Sequence, residues 1–99
     1  TVIDTAGKGK LAGRATTGAG VDIVAYAAST RRLYVPSGKA ATLEVFAVEA
    51  DGALRSLRRV PAAQGSHCVA ADERGHVVVC DPSGGRLLFY EDDAPGPAR

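Results

Sequence analysis

The sequence predicts an all-β chain assembled from a four-stranded antiparallel repeat, and three observations predict it. One residue pattern occurs three times, twice incompletely. The apolar residues fall in short runs of strand length, several of them rich in Val and Tyr. Turn signals separate the runs: Pro36-Ser37-Gly38, Asp51-Gly52, Asp72-Glu73-Arg74-Gly75 and Pro82-Ser83-Gly84-Gly85.

The repeat emerges when the segment from Val21 is set above the segment from Ser66. Asp22 then falls on His67 at an offset of 45 residues, while Leu33 falls on Val77 and Phe46 on Tyr90 at an offset of 44. One residue is therefore lost in the first turn. The opening segment repeats the end of this unit, with Val2-Ile3-Asp4 on Val45-Phe46-Ala47 at an offset of 43. The organisation expected is third and fourth strands in residues 1–20, a complete unit in 21–65, three strands in 66–92 and a tail in 93–99.

Each unit reads as four short strands. The first, Asp22 to Tyr26 or His67 to Ala71, is small and apolar on both sides, as suits a strand packed between neighbours. The second is Arg32 to Pro36 or His76 to Cys80, and the third Thr42 to Val48 or Arg86 to Glu91. The fourth, Ala53 to Val60, has a Thr-rich counterpart at Leu11 to Thr17 and is the most polar, hence the outermost. Leu54 and Leu57 also stand at helical i, i+3 spacing, but Pro61 follows closely and so short a run is not stable as a helix by itself.

A four-stranded antiparallel unit recurring every 40–50 residues has the spacing of a β-propeller blade. The segment RRLYVPSGKAATLEVFAVEADG resembles the YVTN-type repeat, whose second strand reads Leu-Tyr-Val, and GSHCVAADERGHVVVCDPSGGRLLFYED is similar to bacterial-type NHL blades. The likeness runs from Thr1 to about Asp92 and departs at Cys68, where Gly is usual, and at Ala27 and Ala47, where Asp is common. It implies fold far more than function. It also implies a secreted or periplasmic setting, to which the residues themselves do not speak.

Two blades' worth of sequence cannot close a propeller of about four to eight blades. The expectation is a ring of identical chains closed by strand exchange, Leu11 to Thr17 completing the last blade of another chain and three chains giving about six blades, with the remainder of a longer propeller chain as the other route. The chain opens at Thr1 and contains no Met, which points to a processed or excised sequence.

Composition narrows the partners. With 12 Lys+Arg against 11 Asp+Glu and a net charge of +1, neither nucleic acid nor an anionic membrane is expected. The local basic excess, Arg55, Arg58 and Arg59, reads as a solvated strand face. No apolar run reaches the ~20 residues of a membrane-spanning helix.

Candidate chemistry lies where the first strands begin, because propeller ligands sit at the central channel those strands line. Asp22 and His67 occupy equivalent positions there. A type I turn with a Gly bulge at Asp72–Gly75 pairs Asp72 with His76, sets Cys68 opposite Cys80 and His67 opposite Asp81. His67, oriented by Asp81, is then either a metal ligand or proton carrier, or a polar strand-end residue simply hydrogen-bonded to Asp81. Cys68 and Cys80 read as two small buried side chains, a cross-strand disulfide or a metal pair. The glycine-rich GKGK and SGGR are followed by no helix, so neither is a phosphate loop. The functional expectation is a binding or scaffold module without a cofactor. The alternative is a metal-assisted lactonase- or lyase-like enzyme that uses a divalent metal in the channel.

Overall fold

Nine strands account for the regular structure of the computed structural model, which describes residues 2–4, 6 and 9–92; the expected tail at 93–99 lies outside the described residues. They are β1 (Val2–Asp4), β2 (Lys10–Gly13), β3 (Ala25–Ala27), β4 (Arg32–Ser37), β5 (Thr42–Val48), β6 (Leu54–Pro61), β7 (Val69–Ala71), β8 (His76–Asp81) and β9 (Arg86–Glu91). All pairing is antiparallel and sequential, in a β1–β2 hairpin, a four-stranded β3–β4–β5–β6 sheet and a three-stranded β7–β8–β9 sheet. No sheet closes on itself. Among the described residues there is no helix, and none long and apolar enough to cross a membrane.

The repeat is carried in the register. Leu33 pairs with Phe46 across β4–β5, and Val77 with Tyr90 across β8–β9, both partners displaced by 44 residues. Tyr26 pairs with Leu33, and Ala71 with Val77, so the first strand is displaced by 45. The missing residue comes out of the first turn, which the middle sheet makes with Arg31 at φ 54° and the third sheet with Gly75 at φ 91°. In both sheets this turn residue also extends the ladder between the second and third strands. The Val48 N–H donates to the Arg31 carbonyl at 2.9 Å, and the Asp92 N–H to the Gly75 carbonyl at 2.7 Å.

Strand alternation gives the middle sheet two apolar faces, and each is covered. On one, Ala27, Tyr34, Leu43 and Val45 join Val77 and Val79 of the third sheet in a single buried cluster, with Val69, Ala71 and Tyr90 packed around it. Each large side chain sealed in this way contributes about 1.5–3 kcal/mol relative to exposure. Polar groups pair across the rim of this cluster. The Tyr34 hydroxyl donates to Asp92 Oδ2 at 2.8 Å, Arg32 Nε lies 3.5 Å from the same oxygen, and the Tyr90 hydroxyl donates to the Pro61 carbonyl at 2.9 Å. Burial, with the Asp92 hydrogen bond second, pushes the Tyr34 phenol well above its ordinary range. On the other face, Leu33, Val35 and Phe46 share a gap of about 290 Å³ with Val2 of the hairpin and with Ala15 and Thr17.

The third strands Thr42–Val48 and Arg86–Glu91 have the expected bounds, and Leu54–Pro61 is a strand rather than a helix. The first strands are shorter than expected, at Ala25–Ala27 and Val69–Ala71, and leave Asp22 and His67 ahead of them in irregular chain. The reason lies in the backbone. Gly20 and Gly65 take φ values of +83° and +78°, and their hydrogen bonds leave the ladder. The Gly38 N–H donates to the Gly20 carbonyl at 3.0 Å and the Gly65 N–H to the Gly38 carbonyl at 3.0 Å. The outer strand expected at Leu11 to Thr17 is Lys10–Gly13; beyond it the chain turns under the middle sheet, where Ala15 and Thr17 line the gap. The basic cluster is exposed on β6, with Arg55 2.8 Å from Glu49 and Arg59 3.1 Å from Glu44.

Candidate functional site

The glycine relay builds a concavity. Gly20, Gly38 and Gly65 bring three chain segments together at one end of the sheets, and an added Cβ on Gly38 would stand 3.2 Å from the Gly65 Cα and the Ser66 carbonyl oxygen. A side chain there would press the neighbouring backbone apart by a few tenths of an ångström, and glycine avoids this. The open groove between these segments has a volume of about 510 Å³ and is lined by Asp22, Lys39, Gln64 and His67 around the glycines. Ser66 fixes its floor. It is fully buried, its Oγ accepts the Ala63 N–H at 3.2 Å, and its own N–H donates to the Ala63 carbonyl at 3.1 Å.

Asp22 and His67, equivalent by the repeat, thus line one groove. Asp81 does not join them. Its buried carboxylate is held within the β8–β9 turn, where it accepts the Gly84 N–H at 3.0 Å and Arg86 Nε at 2.9 Å. Those two bonds, the backbone one first, hold it below the usual carboxylate range. An orienting role for Asp81 toward His67 is therefore not what the geometry provides. The imidazole turns instead to the Gly65 carbonyl, 2.9 Å from Nδ1, and to Cys80, whose Sγ lies 3.9 Å away.

The register around the Asp72–Gly75 turn places Cys68 opposite Cys80. The Asp72 N–H donates to the His76 carbonyl at 3.0 Å and the Cys80 N–H to the Cys68 carbonyl at 3.2 Å, continuing the β7–β8 ladder at both ends. A disulfide joins Cys68 and Cys80 across a Cα–Cα distance of 5.6 Å, well inside the range that disulfide geometry allows. With His67 they form a cluster in which one ligand atom from each residue lies within 4.8 Å of the others. His76, by contrast, is exposed and paired with Asp72 at 2.6 Å within the turn.

Sequence reasoning missed Lys39 and Gln64, which come from the β4–β5 turn and the β6–β7 connection. The equal spacing of Gly20 and Gly65 ahead of Asp22 and His67 was the available signal. It also missed the approach of His67 to the cysteines, because neighbouring residues in a regular strand point to opposite faces and His67 lies outside one. Compared with family models, curated proteins and solved structures, the chain finds no match.

Proposed function

We propose that the chain is an arc of a β-propeller, a binding or scaffold module that closes into a ring by joining identical chains end to end. One observation carries the reading. Positions that are buried between sheets in the middle of the chain are exposed at its ends. Val45 is sealed against the third sheet at 4 % exposure, while Phe89, its repeat equivalent, is 75 % exposed beside Leu87. Phe46 is sealed on the hairpin side at 1 %, while its equivalent Ile3 is 56 % exposed opposite Leu11. The two ends of the arc thus present the two halves of an interface that the chain makes with itself twice. Apolar surface of this kind marks an interaction site. In a closed ring the Asp22–His67 groove lies at the end of the sheets where the first strands begin, the part of a propeller that meets the central channel.

Solution mass tests this directly, by light scattering on the purified chain across a range of concentrations. A closed assembly of a few chains is expected. A stable, soluble single chain of 10.1 kDa overturns the reading. The enzyme alternative rests on Asp22 and His67 sharing the groove. It requires stoichiometric metal bound while the Cys68–Cys80 disulfide is intact, and its loss in His67→Ala.

A further inference from the structure

The disulfide edge of the third sheet carries a second kind of chemistry, independent of ring closure. We propose that Cys68, Cys80 and His67 form a redox-gated site for a thiophilic divalent cation such as Zn²⁺. In this site the disulfide seen here is the metal-free state and the dithiol is the metal-binding state.

The donor set and its spacing carry the argument. Two thiolates and an imidazole are borderline-soft ligands suited to zinc, and three protein ligands leave a fourth position to water. A tetrahedral zinc site with bonds of about 2.3 Å to sulfur and about 2.0 Å to nitrogen holds its ligand atoms roughly 3.5–3.8 Å apart. The His67 ring already lies against Cys80, and one ligand atom from each of the three residues lies within 4.8 Å of the others. The 5.6 Å Cα–Cα distance is also held by the backbone bond from the Cys80 N–H to the Cys68 carbonyl, which continues the β7–β8 ladder. Side-chain rotation is then enough to open the sulfurs around an ion.

Two further contacts suit a dithiolate. The Cys68 N–H donates to Cys80 Sγ at 3.2 Å, which favours negative charge on that sulfur. A carbonyl can only accept, so the 2.9 Å contact with Gly65 assigns the proton to His67 Nδ1 and leaves the lone pair on Nε2 for a metal. His67 is exposed and both cysteines half-buried, so reductant and ion can reach the site.

The cycle balances. A dithiol reductant supplies two electrons and two protons; its thiols become a disulfide, the Cys68–Cys80 bond breaks and two thiols form. Zn²⁺ then displaces both thiol protons to solvent. A peroxide reverses the change by taking two electrons from the thiolates. The sulfurs rejoin, the O–O bond is reduced to two waters with two protons from solvent, and the ion is released.

The test is an anaerobic Co²⁺ titration of the full chain, before and after reduction with a phosphine. Far-UV circular dichroism follows the strands in parallel. The reduced protein is expected to take up one Co²⁺ per chain with thiolate-to-cobalt charge-transfer and tetrahedral d–d bands, both displaced by Zn²⁺. The disulfide form should show neither band and bind at least about a hundredfold more weakly. Cys68→Ser and Cys80→Ser should each abolish the charge-transfer pattern of two thiolates, and His67→Ala should shift the d–d bands and weaken binding about tenfold or more. Equal affinity in both redox states overturns the proposal, as does a reduced, strand-intact protein without the charge-transfer band. Loss of the strand signal on reduction alone overturns it as well, because the ladder would then not hold the thiols together.

Discussion

Asp72 shows how a single side chain shapes a turn and makes it acid-labile. One carboxylate oxygen accepts the N–H groups of Arg74 at 2.8 Å and His76 at 2.9 Å, and the other meets the His76 ring at 2.6 Å. The His76 ring bond, followed by the backbone bonds, holds the Asp72 carboxyl down at about 2 from an ordinary 3.8. Glu73 is lowered too, chiefly by the Ser29 N–H that donates to it at 2.6 Å, and Asp81 by the Gly84 N–H. A carboxyl with a folded pKa below its unfolded one binds more protons when unfolded, so stability rises with pH through that interval. The contribution of Asp72 is fully present above pH 3.8 and is lost as the pH falls toward about 2. Melting temperature followed over this window should fall with acid, and Asp72→Asn should flatten the slope. An unchanged slope in the variant means the turn carboxylate is not what titrates.

At the scale of the element, the four-stranded and three-stranded sheets solve one turn with different residues. The position that Arg31 occupies at φ 54° is filled in the third sheet by Gly75 at φ 91°. A Cβ there would stand 2.5 Å from the carbonyl oxygen of Asp92, the residue whose N–H donates to the Gly75 carbonyl. Gly75→Ala is therefore expected to cost about 1–3 kcal/mol through the left-handed backbone and the clash together. Denaturant unfolding measures it, and a loss below about 0.5 kcal/mol counts against the turn as built. This element was legible in the sequence because Asp-Glu-Arg-Gly between apolar runs states both the turn and its bulge. Third strands were equally legible, since Thr42–Val48 and Arg86–Glu91 are bounded by such signals on both sides. The first strands were not. Their apolar residues continue past the ladder, and only the hydrogen bonds among Gly20, Gly38 and Gly65, distant in sequence, take Asp22 and His67 out of it. The same distance hid the site: a register could place Cys68 opposite Cys80, but not the imidazole that leans onto Cys80 from outside the strand.

For the whole molecule, the order of the sheets fixes the kind of association its ends can make. The hairpin presents Ile3 and Leu11 on one side of the arc, and the third sheet presents Leu87 and Phe89 on the other. These faces are different surfaces, so an association that joins them is head-to-tail, a ring where its rotation closes and an open filament where it does not. Phe89→Asp should remove one face and Ile3→Asp the other. Each side chain is largely exposed in the single chain, so intrinsic stability should change by no more than about 0.5 kcal/mol. Each variant by itself should then run as a single chain, with a melting temperature independent of concentration. The mixture is the discriminating case. A chain lacking its tail face retains a head, and a chain lacking its head face retains a tail, so one interface can form between them and no second can follow. Light scattering on the equimolar mixture should give a two-chain species and nothing larger. An isologous contact, with the same patch on both partners, predicts otherwise. The variant altered outside that patch would assemble normally by itself, and mixing would add nothing. A mixture that stays at the mass of one chain shows that these two faces do not meet, and the ring then lacks its joint.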